Sequence, residues 1–509
     1  SSAASDVYKR QGCFLQDVFR EKNRKTVLTG SILAIVICGG LLAWMYSFKN
    51  IKPDHKVTAG VIGFLAVYLI LFAVGTSVKK MYRIFPAAVL LVLICELFVL
   101  DYPSLWHRES PTRNQVATEY YNDGTKEAVA VLKEQDDSVY RIEKSYTSAS
   151  ENDGMSQGYN GLSVYMSTNP ASLVAYHKMY GPETLSGNFV DFNMDDYIRS
   201  SLLGTKYLIT GTGYHAPQKI YTSVGEAGGR SVFENQYALP FGYLYDKEWN
   251  QEEVKEMSGL DKTLASLSGF YYTDAEETPS YQKADLPEQT DLSLLDYADT
   301  ATDCTMEKGS EGITVSNLGA DPNVVFPGVA SCFADNDKLY GLSLTVDAPD
   351  ETEMAVYYQT EGDEGFSAEK VYTFKVTEDN RTWEHLVPGG ITELRVDVSS
   401  PVESAVINNF ELKSCDITES GYTALKESGV DEVTFSDSTY QAQVTNDASE
   451  NKMLCVPLFY QKGWTAQIDG EDAGVYNINE GMCGVEVPSG THEIVLKLSL
   501  IHISEPTRP

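Results

Sequence analysis

The sequence predicts a multi-domain membrane protein. Three C-terminal transmembrane α-helices come first, then an extracytoplasmic α+β region, then β-rich domains of β-sandwich or jelly-roll type. Three observations predict this. Long uncharged apolar runs are confined to the part before Tyr102. Charge divides at the same place: up to Arg113 the basic residues exceed the acidic by 7, and the overall net charge of −33 leaves −40 for the remainder. Beyond about Ser231 the chain reads as strand-dominated, and from Leu342 to Leu412 apolar residues recur with period two, as in half-buried antiparallel strands.

The elements follow in order. Residues 1–11, "SSAASDVYKRQ", and 499–509, "SLIHISEPTRP", resemble translated sequencing-adapter sequence and carry no helix or strand period. They are set aside as artefact, and the chain is expected to be an internal fragment. Residues 12–102 form the membrane region, with spans at 27–48, 57–78 and 84–100. At 1.5 Å per residue each is long enough, or nearly so, to cross a hydrocarbon core of about 30 Å. Arg20, Lys22, Arg24 and Lys25 precede the first span, and Lys79, Lys80 and Arg83 fill the second loop. The positive-inside rule puts both inside and the chain after Tyr102 outside; Lys49, Lys52 and Lys56 oppose it in part. Glu96 is the one carboxylate within a span. It reads either as a polar contact facing a cavity or partner helix, or as a protonated or snorkelling acid near the outer end.

Residues 103–230 read as an α+β region. A helix is expected over Lys126–Glu134 and a strand over Val139–Ile142. "SLLGTKYLIT" reads as a helix end passing through Gly204 into a buried strand, Lys206–Thr210. Residues 231–415 read as a jelly-roll-like domain. There Leu342, Leu344 and Val346 share one parity, as do Tyr372, Phe374 and Val376, and Leu394, Val396 and Val398. Residues 416–498 read as a C-terminal β module. In it Trp464, Ala466 and Ile468 alternate with polar residues, and Asp469-Gly470 signals a turn. His492 shares the parity of Ile494, Leu496 and Leu498, which makes it a packed edge residue sooner than a base.

The densest polar and aromatic stretch outside the membrane holds Asn152, Asp153, Tyr159, Asn160, Tyr165 and Ser167. Asn and Asp bind sugar hydroxyls and aromatic faces take sugar CH groups, so these are candidate substrate-binding residues. The same residue types also build turns. His177 has no partner evident from sequence and reads as structural or surface. His107 and Arg108 suit either a carrier phosphate or interfacial snorkelling. "THEI" at Thr491–Ile494 lacks the second histidine of a zinc-protease motif. Asp347, Glu351, Glu353, Asp363 and Glu364 do not have the spacing of a calcium loop and read as a solvated face. No metal site is expected. The five cysteines of the acidic part contain no C-x-x-C pair; spacing leaves one bridge, Cys455 to Cys483, open. The strong negative charge argues against a nucleic-acid partner.

At several of these stretches the chain resembles the YfhO family of bacterial membrane proteins: "VYRIEK", "NDGMSQGYNGLSVYMST", "SLLGTKYLIT", "VFENQYALPFGYLY" and the run from Tyr460 to Ile494. Their order fits, and together they are spread over most of residues 84–498. "ITELRVDVSSPVESAVINNFEL" is similar to the closing strands of a galactose-binding-type jelly roll. The resemblance implies a polytopic glycosyltransferase of the GT-C kind. Such an enzyme takes sugar from a lipid-phosphate carrier and modifies envelope polymers such as teichoic acid. The implied partners are membrane lipids, a lipid-linked sugar donor and an envelope glycopolymer acceptor. The implied location is the bacterial cell membrane, multi-pass, with the large C-terminal part outside. In such enzymes the catalytic acid lies in the first outer loop, between early spans, and no residue here matches that position. No catalytic residue is therefore assigned, and a divalent cation at the carrier phosphate is expected only in that upstream part. The alternative is a non-catalytic membrane-anchored protein that binds glycan or organises the envelope.

Overall fold

The computed structural model describes residues 112–499 apart from 151, 181–188, 191–196, 212–219, 274–278, 336–337, 369, 379, 399–402, 415–420, 429 and 437. Before 112 it describes 55–78, 84–101 and scattered helical positions within 29–44. The chain forms two units, 1–113 and 114–509.

In the first unit, helix His55–Ser77 is followed by helix Phe85–Glu96 and a π-helical turn, Leu97–Asp101. Pro86 enters at the first turn, where its missing N–H costs nothing. Among the described residues one helix, Lys56–Val74, is long and apolar enough to cross a membrane, and Phe85–Leu100 is a shorter apolar helix. Most of the expected span 27–48 lies outside the described residues, so the expectation of three spans is met in one helix only. Glu96 accepts a hydrogen bond from Tyr68 Oη of the neighbouring helix at 2.7 Å.

The second unit opens with an α+β layer. Its four-stranded sheet runs 141–144, 205–210, 230–235, 221–227, and the first pair is parallel. Helix Thr125–Gln135 covers it because Ala128, Val129 and Leu132 fall on one face and pack on Ile142, Tyr207, Ile209 and Val232. Gly124, in the left-handed region at φ 91°, starts this helix. A Cβ there would lie 1.9 Å from Gly228 O, so the helix can meet the 221–235 hairpin only through two bare glycines. Helix Tyr197–Leu202 turns through Gly204 at φ 78° into strand Thr205–Thr210.

Next comes an antiparallel sandwich. One sheet runs 305–309, 312–316, 404–414, 339–347, 382–388, with 290–293 also paired to 404–414. The other runs 300–302, 323–327, 391–398, 352–360, 371–376. The in-facing parity of each strand fills the space between: Ile313, Val315, Phe326, Leu342, Leu344, Val356, Val396, Ile407 and Phe410 are buried together.

The C-terminal module is a second pair of sheets, 430–436, 439–446, 490–498, 464–468, 471–473 against 476–478, 482–487, 452–459, 243–245. Strand Tyr243–Tyr245 pairs with Met453–Cys455, which binds the stretch after 231 to the module after 416. Asp469 and Gly470 both take left-handed φ, 50° and 84°, in the tight turn between Ile468 and Glu471. The stretch after Ser231 also contains two helices, Gln251–Glu256 and Gly259–Ser268, where the sequence reads as strand-dominated. Asn250 and Ser258 cap them by accepting from Glu252 N and Asp261 N, and Leu260, Leu264 and Leu267 are buried on one face.

Cys455 and Cys483 are free and buried, so the bridge left open by spacing does not form. In the strand register Cys455 stands opposite Gly484, and Cys483 opposite Val456. The two thiols therefore point to opposite faces of one sheet and into different cores.

Candidate functional site

A cleft of about 680 Å³ opens in the second unit between three walls. The helix end and strand at 133–142 supply Lys133, Asp136, Tyr140 and Arg141; the turn-rich loop supplies Asn152, Met155, Tyr159 and Asn160; Phe241, Phe435 and Leu458 form an apolar wall.

Asp136 ends the 125–135 helix and shapes the first side. Its Oδ1 accepts from Ser138 N at 2.9 Å, and its Oδ2 accepts from Lys206 Nζ at 2.7 Å and Tyr207 Oη at 2.8 Å. Burial opposes ionisation of Asp136. The bonds from Lys206, Ser138 and Tyr207 outweigh it and hold the carboxyl well below the usual range. Tyr140 packs edge-on against Tyr207, ring centroids 4.9 Å apart.

On the loop side, Lys133 Nζ donates to Gly158 O at 2.7 Å and Asn160 Nδ2 donates to Tyr140 O at 3.2 Å. These bonds tie the loop to the helix and strand across the cleft. Tyr159 is half-buried against Gly154 and Gly161; a Cβ at Gly161 would sit 3.2 Å from its ring, so the small residue leaves room for the ring. Asn152 donates to Tyr165 O at 2.8 Å and accepts from Tyr165 N at 3.0 Å, pinning the loop to the short strand Val164–Tyr165.

Of the sequence-derived candidates, Asn152, Tyr159 and Asn160 line the cleft; Asp153, Tyr165 and Ser167 do not. Tyr165 and Ser167 are exposed. Asp153 is 3% exposed and faces inward. Its Oδ2 accepts from Lys144 Nζ at 2.7 Å and Ser148 N at 2.6 Å, and its Oδ1 accepts from Ala149 N and Ser150 N, each at 3.1 Å. Burial again opposes ionisation, and the bonds from Lys144 and the backbone win, lowering its pKa. Lys144 also donates to Ser148 Oγ and Gln157 Oε1, and Ser148 Oγ donates to Asp123 Oδ2 at 2.6 Å. This buried network sets the loop that carries Asn152, Tyr159 and Asn160.

The other marked residues fall away from the cleft. His177 is buried in helix Ala171–Tyr180. His107 and Arg108 lie outside the described residues. In the acidic cluster Asp347 pairs with Arg381, Glu351 with Lys375 and Asp363 with Lys370. Among the described residues no group of three or more His, Cys, Asp or Glu stands close enough to hold a metal.

His492 is half-buried at the end of the apolar parity. Its Nδ1 bonds Asp469 Oδ2 at 2.7 Å and its Nε2 faces Ser489 O at 3.2 Å, so both ring nitrogens have acceptors and the imidazolium is favoured. The bond to Asp469 raises the His492 pKa, burial opposes it, and the same bond lowers the Asp469 pKa. A raised histidine pKa stabilises the fold below the unfolded value and loses that effect as pH rises through the folded one; a lowered aspartate pKa stabilises above its unfolded value. The pair therefore contributes most between about pH 4 and 6.5. The thermal midpoint lost in His492→Gln should be largest near pH 5.5 and shrink towards pH 8. A loss constant across that range contradicts the assignment.

The cleft unites an aromatic face, side-chain amides and an apolar wall; of its two carboxylates, Asp136 is committed to Lys206 and Asp137 is exposed.

The family model for the bacterial membrane protein YfhO matches residues 13–498. The chain belongs to the YfhO family. It is 21% identical over 484 residues to the uncharacterized protein YfhO of Bacillus subtilis (strain 168), covering 90% of this chain and 52% of that protein. It thus spans about half the length of that curated relative. Among solved structures it is similar to apo BiXyn10A CBM1, at 10% identity and TM-score 0.19, over 25% of this chain and 96% of that one. It is similar also to the family 11 carbohydrate-binding module of cellulosomal cellulase Lic26A-Cel5E of Clostridium thermocellum, at 16% identity and TM-score 0.17, over 28% of this chain and 94% of that one. At such TM-scores these likenesses decide neither fold nor ligand. Membership of the YfhO family makes this a bacterial membrane protein, and the cleft is a candidate site within its described residues.

Proposed function

We propose that this chain is the C-terminal part of an integral-membrane glycosyltransferase that moves sugar from a lipid-phosphate carrier to cell-envelope polymers such as teichoic acid. Its folded unit lies outside the membrane and holds a glycan segment in the cleft. The observation that carries the reading is the cleft lining. Tyr159 offers a half-buried aromatic face for sugar CH groups, Asn160 and Asn152 stand beside it, and Phe241, Phe435 and Leu458 complete an apolar wall. The chemistry of transfer is assigned to the upstream part of the YfhO protein, in keeping with the resemblance.

A second reading, a glycan-binding envelope protein without catalysis, is favoured by one specific observation. Asp136 and Asp153 are both spent on structural ion pairs. The two readings share the cleft and differ in the upstream part. The shared element is tested by titrating the full chain in detergent micelles with teichoic-acid fragments and following ligand signals by saturation-transfer NMR. Binding weakened at least several-fold by Tyr159→Ala is expected, since one lost stacking contact is worth roughly 1 kcal/mol. Binding unaffected by Tyr159→Ala and by Asn160→Ala overturns the assignment of the cleft.

A further inference from the structure

Arg141 stands apart in this acidic chain. With 72 Asp and Glu against 39 Lys and Arg, several of the less exposed basic side chains in the unit pair with carboxylates: Lys144 with Asp153, Lys206 with Asp136, Arg230 with Asp123, Arg395 with Asp397. Arg141 lines the cleft while only 8% exposed, and among the described residues no carboxylate reaches it at ion-pair distance. Its Nη1 donates to Leu203 O, and its guanidinium lies over the Phe241 ring, 5.0 Å from the centroid. Glu143, two residues along the strand, attracts it only from longer range. Burial pulls the Arg141 pKa down to about 10, so it stays charged at neutral pH.

A buried charge without a partner is costly, and a guanidinium is a planar fork of five donors shaped for carboxylate or phosphate. Leu203 takes up one nitrogen of that fork, and the Phe241 ring holds its plane. Lys133 adds a second positive charge at the exposed side of the cleft and donates to Gly158 O. Two carboxylates also line the cleft. Asp136 is neutralised by Lys206, and Asp137 is exposed.

We propose that Arg141 recognises an anionic group, phosphate or carboxylate, carried by the glycan that enters the cleft. This rests on the reading of the cleft as a glycan site. The anion supplies the partner that the protein withholds from Arg141, while the aromatic and amide groups hold the neutral part of the sugar.

The test compares glucose 1-phosphate, glucuronate and methyl glucoside on the full chain in detergent micelles, by saturation-transfer NMR. At low salt at least one charged sugar should bind roughly tenfold more tightly than methyl glucoside, about what one charge-assisted hydrogen bond supplies. The ratio should fall as salt is raised. Arg141→Gln should bring the ratio close to one. Displacement by inorganic phosphate assigns the phosphate, and displacement by glucuronate alone assigns the carboxylate. Equal affinity of charged and neutral sugars in the unaltered protein overturns this inference and leaves the glycan reading standing. Failure of every sugar to bind overturns the glycan reading itself, and this inference with it. Should Arg141→Gln fail to fold by circular dichroism, the salt dependence of the ratio in the unaltered protein still decides.

Discussion

Asp153→Ala is expected to lower the stability of the folded unit by roughly 3–5 kcal/mol, the usual cost of removing one member of a buried ion pair. The side chains of Lys144 and Asp153 are 5% and 4% exposed, so solvent screens little of the interaction. Losing the carboxylate strands the Lys144 ammonium among Tyr146, Ser148 and Gln157, and it also strands the N–H groups of Ser148, Ala149 and Ser150. Asp153→Asn should recover little, because one acceptor oxygen becomes an NH₂ group facing those same donors. Lys144→Met combined with Asp153→Leu removes both charges and should cost less than the two single changes summed. The measurement is the thermal midpoint of the full chain by near-ultraviolet circular dichroism. A midpoint unchanged by Asp153→Ala would return the residue to the role of a surface ligand for sugar.

Gly124→Ala should be nearly as severe, at roughly 2–5 kcal/mol, by a mechanism with no charge in it. A left-handed φ of 91° costs an L-residue about 1–2 kcal/mol. The added methyl would also stand 1.9 Å from a backbone carbonyl oxygen, that of Gly228. Backbone cannot swing aside as a long side chain does, so the start of the 125–135 helix must part from the 221–235 hairpin, at an overpacking cost of about 1–3 kcal/mol. The helix carries Lys133 and leads to Asp136, so the cleft should open with it. Chemical denaturation of Gly124→Ala beside Gly158→Ala makes the comparison. Gly158 also has positive φ, 80°, but nothing lies within 4 Å of its would-be Cβ. A similar loss in both would leave φ alone as the cause and remove the collision argument.

The strands were legible wherever one face is buried and one is wet. Leu342, Leu344 and Val346, or Trp464, Ala466 and Ile468, announce their inward side by parity, and the fold buries that side. The helix from Gly259 to Ser268 was equally marked by Ser258 at its cap and Leu260, Leu264 and Leu267 on one face, but it sits among strands and is short. The cleft was legible in one wall only. Asn152, Tyr159 and Asn160 are dense within a few residues, and that density is local. Arg141, Phe241, Phe435 and Leu458 come from four places in the chain, joined by pairings such as Tyr243–Tyr245 with Met453–Cys455, which no local pattern encodes. Asp153 shows the converse limit. A carboxylate in a polar loop has the same sequence signature whether it faces a ligand or a buried lysine. Only the placement of Lys144 beneath the loop separates the two.

The central claim, that this cleft serves sugar attachment to an envelope polymer, meets its most direct test in cells. The complete reading frame of the relative in Bacillus subtilis is deleted and then restored carrying changes at the residues matching Tyr159, Asn160 and Arg141. The sugar attached per polymer repeat is measured by NMR of purified teichoic acid. The account predicts that deletion removes a sugar substituent, that the unaltered gene restores it, and that the altered gene restores far less at equal protein level. Full restoration by the altered gene, or a polymer unchanged by deletion, would contradict it.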